Sequence, residues 1–189
     1  MNRLKNKLTE ANGAISIFVV MMLILLLPMA IWVGIELPKM HEANQRAKDA
    51  VDSAASSAVT LIQSDNDAFG EGQVLLDKTS ITQVSAQIVA EKMGLVWRNS
   101  RWEPKAGSSI KNDGLNQIQV TVVDDRDLVV NGARVEKSVY SKIPGKTWTK
   151  KVKRPAVIVE VKVTYEKMGW WGNDLTVNQT GMSQVILKL

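Results

Sequence analysis

The strongest pattern in this chain is an uncharged, apolar run that begins at Ala11 and ends at Ile35. At about 1.5 Å per residue, a helix of this length crosses a hydrocarbon core of about 30 Å. A helix also satisfies its own backbone in lipid, where Pro28 is tolerated with a kink or one unpaired carbonyl. We therefore predict a transmembrane helix over residues 11–37, preceded by a short basic leader at residues 1–10.

The same run is longer than the apolar part of a cleaved signal peptide, and bulky residues follow Pro28 where a cleavage site needs small ones. We therefore expect an uncleaved anchor. The leader carries Arg3, Lys5 and Lys7, and a long domain follows the span. This arrangement favours a cytoplasmic N-terminus and an external C-terminal domain.

Small residues recur at intervals of three and four after the span, and we predict a helical stem over residues 38–64. Two interpretations of this stripe stay open. It packs on the chain's own domain, or it packs on neighbouring subunits, as small residues do between membrane helices. The residues assigned to membrane and subunit packing are Ile17, Val20, Ile24, Leu27, Ile31, Glu36, Ala43, Ala47, Ala50, Ala54 and Ala58.

Residues 65–189 have the pattern of one small domain. Apolar residues at helical intervals predict a helix over Val74–Met93 that stops at Gly94, and residues 100–114 have the composition of a loop. Alternating apolar and polar residues predict strands around the turn Asn131-Gly132 and elsewhere. The predicted strands are Ile118–Val122, Leu128–Val130, Val135–Tyr140, Val157–Tyr165 and Ser183–Leu189. The expected fold class is α+β, a long N-terminal transmembrane helix and stem followed by one further helix and an antiparallel sheet.

Composition narrows the function mainly by exclusion. The chain has 189 residues, a net charge of +5, no cysteine and one histidine, His41. The lack of cysteine excludes disulfides, Cys-ligated metals and a thiol nucleophile, and His41 lies just beyond the span, away from any plausible Ser-His-Asp arrangement. The sequence contains no phosphate loop or dinucleotide fingerprint. We therefore expect no enzyme activity, no cofactor and no small-molecule substrate.

Three aspartates, Asp124, Asp125 and Asp127, fall within four residues and would suit a hard cation. The glycine and the later glutamate of a calcium-binding EF-hand loop are missing at the required spacing. We assign the cluster to a connection between a strand and a turn, and we predict no metal there.

Two further features invite contact with a polymer. No acid interrupts the chain between residues 137 and 154, where lysines are interleaved with aromatic residues, and residues 169–172 place two tryptophans between glycines. The first feature has two interpretations. It is a basic arm that contacts DNA, teichoic acid or anionic lipid, or it is an exposed hairpin loop that lysine keeps soluble. The second is a tip that touches sugar or membrane, or a plug that folds back on Trp97 and Trp102. We prefer the soluble loop and the plug, so nucleic acid and cell-wall polymer are possible partners that we do not favour. The residues of possible ligand contact are Lys142, Lys146, Lys150, Lys151, Lys153, Trp170 and Trp171.

The N-terminal segment combines Asn-Gly-Ala-Ile-Ser-Ile at residues 12–17, an acidic end of the span at Glu36, and an alanine-rich stretch at residues 45–55. Over residues 10–60 it resembles TadE/TadG-like proteins, pseudopilin-like components of the Tad (Flp) tight-adherence pilus in the type IV filament superfamily. The resemblance implies a pilin-like layout in a bacterial membrane. It also implies a minor pilin-like or pilus-assembly component that packs on other pilin-like subunits and pilus platform proteins, beside the lipid bilayer.

One departure from the prepilin pattern concerns processing. Prepilins are cut after a glycine and usually carry Glu at the fifth mature position, but cutting between Gly13 and Ala14 would place Phe18 there. Gly13 is therefore either a cleavage point or a flexible cap of the span, and we favour the cap and the TadG-like variant, which often lacks that Glu. The alternative function is an anchored surface module that holds an anionic polymer, DNA or a glycan through the basic loop and the Trp pair.

Overall fold

The computed structural model describes residues 2–64, 74, 76–166 and 174–185, and within the first helix it describes the side chains of residues 16–31 and 33–60. The predicted α+β class is confirmed: a long N-terminal helix is followed by a domain with an antiparallel sheet. The chain divides into two compact units, residues 1–41 and residues 42–189.

In chain order the elements are α1 (Asn2–Ser64), α2 (Lys78–Met93), β1 (Leu95–Arg98), β2 (Arg101–Pro104), β3 (Gln117–Val123), α3 (Asp125–Leu128), β4 (Val129–Val130), β5 (Ala133–Arg134), β6 (Lys137–Tyr140), β7 (Thr149–Val152), β8 (Ala156–Tyr165) and β9 (Leu175–Gln184). The largest sheet has three antiparallel strands in the order β3-β8-β9. Three two-stranded hairpins, β1-β2, β4-β5 and β6-β7, accompany it.

The first unit contains the apolar part of α1, which continues as helix through Pro28 and Pro38. Among the described residues, this is the one helix that is long and apolar enough to cross a membrane. Gly13 lies inside α1, eleven residues after its first residue Asn2, so its interpretation as a cap of the span is wrong.

In the second unit, one face of the large sheet is covered by the C-terminal part of α1 and by α2. The core on this face contains alternate residues of β8 from Val157 to Tyr165, together with Ile118 and Val120 of β3. On α1 it contains the alanine stripe, where Ala47 is fully buried. Valine is well suited to this position because its branched side chain packs closely on a pleated surface.

The opposite face of the sheet is covered by the segment that joins β3 to β8. Ala156 and Ile158 of β8 point to this side and pack against residues of α3, β6 and β7. The central strand β8 is therefore buried on both faces. This explains why Ile158, which lies on the face where an alternating strand would carry polar residues, is itself an apolar residue.

The ends of helix α2 are set by two capping residues, Asp77 at its N-terminus and Gly94 at its C-terminus. The Asp77 carboxylate accepts hydrogen bonds from the backbone N–H groups of Thr79 and Ser80, at 3.0 and 3.3 Å. This N-cap starts the helix at Lys78, four residues later than predicted from apolar spacing alone. The predicted stop is confirmed, because Gly94 takes the left-handed conformation with φ of 68°.

The strands differ from the prediction in several places: β1 and β7 were not predicted, and Leu128, predicted as strand, ends α3. The predicted turn Asn131-Gly132 is confirmed with φ values of 53° and 78°, but it joins β4 to the two-residue strand β5. Residues 100–114, predicted as loop, contain β2, which pairs with β1. The last strand begins at Leu175, earlier than the predicted Ser183, and the predicted residues 186–189 lie outside the described part of the chain.

Candidate functional site

The apolar segment of α1 is the first candidate surface. Ile17, Val20, Ile24, Leu27 and Ile31 are exposed and recur at intervals of three and four, so they share one side of the helix. The opposite side is equally apolar: Met22 is 50% exposed and Leu26 is 53% exposed. A helix that is hydrophobic all round is suited to lipid or to contacts with other helices, and not to water.

Glu36 differs from its neighbours at the end of this segment. Its side chain is 8% exposed, whereas Ile35 and Leu37 are 51% and 46% exposed. The structure therefore shelters the one acidic side chain that falls between residues 16 and 41. Sheltering a carboxylate from water is costly, and such groups in or near a membrane usually have a functional reason.

The alanine stripe lies inside the second unit. Ala43 is nearly buried, and Ala47, Ala50, Ala54 and Ala58 have no exposed surface. These residues pack in the same core as the valines of β8. Of the two interpretations, the structure shows packing on the chain's own sheet, and these alanines are not exposed for contacts with other subunits.

The stripe and strand β9 approach each other closely because both surfaces are made of small residues. A Cβ atom placed on Gly181 of β9 would lie 2.5 Å from the carbonyl carbon of Val51. Polar contacts flank this point: Lys48 Nζ donates to the Thr180 carbonyl at 3.1 Å, and Gln179 Nε2 donates to Asn44 Oδ1 at 3.2 Å. The helix is thus fixed on the sheet by backbone proximity and by hydrogen bonds on both sides.

The aspartate cluster is a connection after β3, as predicted. Asp124 caps α3 and forms a reciprocal capping box with Asp127. Buried Asp125 accepts from the Val74 N–H at 2.8 Å and pairs with Arg134 at 2.9 Å. Within the residues that the structure describes, no group of three or more His, Cys, Asp or Glu side chains could hold a metal ion.

Lys78 and Lys137 surround Asp127, each at 2.6 Å from one of its carboxylate oxygens. Partial burial works to raise the pKa of Asp127, but hydrogen bonds from Lys137 and Lys78 outweigh it and hold the pKa well below its ordinary value. The hydrogen bond to Asp127 raises the pKa of Lys78 in turn. The carboxylate joins the start of α2 to β6, two elements far apart in sequence.

We expect Asp127→Asn to lower the free energy of unfolding by about 2 kcal/mol at neutral pH, because two charge-assisted hydrogen bonds are lost. A carboxyl whose pKa is lowered on folding stabilises the native state above its unfolded pKa, about 3.9, and loses that effect as pH falls. The difference between variant and wild type should therefore shrink from about pH 5 downward. Urea unfolding at several pH values checks this, with Asp49→Asn on the exposed side of the stem as the control. A difference that stays constant down to pH 2 would contradict the assignment.

The lysine-rich stretch forms a folded hairpin, β6-β7. The loop that connects its two strands is held by hydrogen bonds to the carboxylate of Glu160 on β8. This carboxylate is 1% exposed. It accepts hydrogen bonds from Ser141 Oγ at 2.6 Å, from the Lys142 N–H at 3.0 Å and from Trp148 Nε1 at 2.9 Å. Four residues from three parts of the chain thus fix the loop on the back of β8.

The structure separates the five lysines of this hairpin. Lys151 and Lys153 both lie 3.4 Å from Glu136, and Lys150 lies over the Trp148 ring. Lys146 Nζ donates to Thr180 Oγ1 at 2.8 Å. Lys142, the remaining member, is exposed. The stretch is therefore not a continuous cationic arm, and sequence reasoning missed the two glutamates because one lies just before it and the other after it.

Lys146 is the most constrained of these lysines. Burial lowers its pKa, and the positive charges of Lys150 and Lys48 lower it further against the opposing effect of Glu160. Lys48 belongs to α1, so lysines from the stem and from the hairpin meet beside β9. The stem and the hairpin each contact Thr180 of β9, through Lys48 and Lys146 respectively.

Trp97 and Trp102 contact each other edge to face across the β1-β2 hairpin, with ring centroids 4.9 Å apart. Trp170 and Trp171 lie outside the described residues, so their packing as a plug stays a prediction. The pairing of Trp97 with Trp102 was not predicted, because both fall in or beside a segment with loop composition.

Comparison with protein-family models, curated proteins and solved structures finds no match to this chain. The apolar helix and the domain that follows it in the chain are therefore the two features that bear on function.

Proposed function

We propose that this protein is a membrane-anchored structural component of a Tad-type pilus, a minor pilin-like or pilus-assembly subunit. One observation carries the proposal: a single helix, α1, contains both the exposed apolar segment and a buried stripe that forms part of the core of an α+β domain. The resemblance of residues 10–60 to TadE/TadG-like proteins supports the same conclusion. In type IV filament proteins a long N-terminal helix joined to an antiparallel sheet has this broad layout, which is an argument by analogy.

In this role the apolar segment lies in the bilayer with the basic leader in the cytoplasm and the domain outside. The positive charges before the span favour this orientation. The protein acts by packing with other pilin-like subunits and with platform proteins of the pilus. Association between membrane helices depends on close packing and not on the hydrophobic effect, so the face of α1 that meets a partner has to be specific.

Site-specific photo-cross-linking in living cells tests which face of α1 meets a partner. We expect a photoreactive phenylalanine analogue at Ile24 to form adducts with pilus proteins, because this residue lies on the side shared by Val20 and Leu27. The matched control is the same analogue at Leu26, which is also exposed and lies on the opposite side of the helix, about 160° from Ile24. Adduct yield at Leu26 should be several-fold lower. Equal yields on both sides, or adducts with lipid alone, would contradict the proposed packing face.

The role proposed here is structural and requires no catalytic step. The carboxylates of Asp125, Asp127 and Glu160 are held by hydrogen bonds to protein groups. These charges connect distant parts of the fold.

A further inference from the structure

A cleft with a volume of about 1180 Å³ lies between α2 and the β1-β2 hairpin. Its lining residues all belong to the second unit, and none of them belongs to the alanine stripe. One wall is a face of α2, the other is the tryptophan pair, and the floor includes Ala86 and Ala90. The side chains that give the walls their chemistry are Thr79, Thr82, Gln83, Gln87, Trp97 and Trp102.

Trp97 is held in an exposed position on this wall. Its side chain is 56% exposed, although a tryptophan in a domain of this size gains stability from burial. Trp102 supports it from the facing strand, where the two residues are direct partners in the register. Arg101 and Glu103, on either side of Trp102 in β2, form an ion pair of 2.7 Å.

The turn that brings the tryptophans together is conformationally costly. Asn99 and Ser100 have φ values of 50° and 60°, in the left-handed region that residues other than glycine rarely adopt. A tight two-residue turn of this kind places Trp97 opposite Trp102. Backbone strain of this kind occurs at ligand-binding sites, and here it lies next to one exposed tryptophan, Trp97.

The opposite wall offers neutral hydrogen-bonding groups in a row. Thr79, Thr82, Gln83 and Gln87 lie along one stripe of α2, and all four are exposed. Hydroxyl and amide groups both donate and accept hydrogen bonds, as sugar hydroxyls do. From Thr79 to Gln87 the helix rises about 12 Å, enough for more than one sugar ring.

The charges of the cleft argue against other ligands. Lys78 and Lys105 are its cations and Glu91 is its anion, and Lys78 already binds Asp127. A phosphate backbone would find few free cations here. An apolar peptide helix would bury the glutamine amides without partners, which is costly.

We propose that this cleft binds an oligosaccharide, with Trp97 stacked on the apolar face of a sugar ring and with Gln83 and Gln87 bonded to its hydroxyl or acetamide groups. The inference goes beyond the proposed function, since it concerns ligand recognition by the domain. It does not depend on the membrane segment, so the proposed function and this inference can fail separately.

Isothermal titration calorimetry of the full chain in detergent tests the cleft. The two probes are the β-1,4-linked tetramer of N-acetylglucosamine and cellotetraose, which share ring geometry and differ in the acetamide group. We expect saturable binding of at least one, and Trp97→Ala should weaken it about tenfold or more. Binding of the first sugar alone indicates an amino-sugar polymer, and binding of both indicates recognition of the glucan backbone.

Two variants control for folding and for nonspecific contact. Tyr140→Ala removes another exposed aromatic, outside the cleft, and should leave the affinity unchanged. Gln83→Ala with Gln87→Ala should weaken binding about tenfold while the circular dichroism melting curve stays that of wild type. The proposal is overturned if neither sugar binds at millimolar concentration, or if wild type and Trp97→Ala bind equally well.

Discussion

Replacing Gly181 with valine is expected to prevent the domain from reaching its native fold. A Cβ atom at this position would lie 2.5 and 2.6 Å from the carbonyl carbon and oxygen of Val51, and 2.7 Å from the Asp52 nitrogen. All three are backbone atoms in the middle of a helix, so they cannot rotate away as a side chain would. Relief would require α1 to move off the sheet and to expose its buried alanine stripe.

Overpacking a core usually costs about 1–3 kcal/mol, and contact with a fixed backbone lies at the upper end or beyond. The net stability of a domain of this size is about 5–15 kcal/mol, so even Gly181→Ala should reduce it markedly. Urea unfolding followed by circular dichroism measures this loss. Thr149→Val on β7 is the control, because its side chain is exposed and the two residues have nearly the same shape. Wild-type stability in Gly181→Val would show that α1 does not lie on β9.

The elements that could be predicted from sequence are those whose burial is visible in local spacing. The apolar run of α1, the alternation in β8 and the stop at Gly94 are each encoded by neighbouring residues, and each is confirmed. Strand β9 was largely missed because it is lined by polar residues and Gly181. That pattern is favourable only where a helix covers the strand, and the helix is more than a hundred residues away in sequence.

The candidate sites follow the same division. The exposed apolar residues of α1 could be identified from sequence. The surface on which the alanine stripe packs could not, because its close approach to the sheet depends on Gly181 of β9. The lysine-rich stretch was predicted as a surface hairpin, but its anchoring by Glu160 was not visible because the two are brought together by the sheet. The cleft beside Trp97 was missed because its Asn99-Ser100 turn lacks the glycine that usually marks a tight hairpin.

The character of α1 predicts how the chain is processed and where it resides. Gly13 lies within a helix, and cutting after it would put Phe18 where prepilins usually carry an acid. No small-residue site follows the apolar run, so a cleaved signal peptide is not expected either. We therefore expect the full-length chain to remain in the membrane, bound to pilus proteins through the apolar segment.

The mass of the intact protein, measured in parallel from membranes and from filaments sheared off the cell surface, tests this expectation most directly. The predicted result is a full-length mass in the membrane fraction, recovered together with pilus proteins. A mass that begins at Ala14 in the sheared fraction would make the protein a processed filament subunit and would contradict the expectation of an uncleaved chain. A soluble chain that has lost the entire apolar run would contradict the membrane anchor itself.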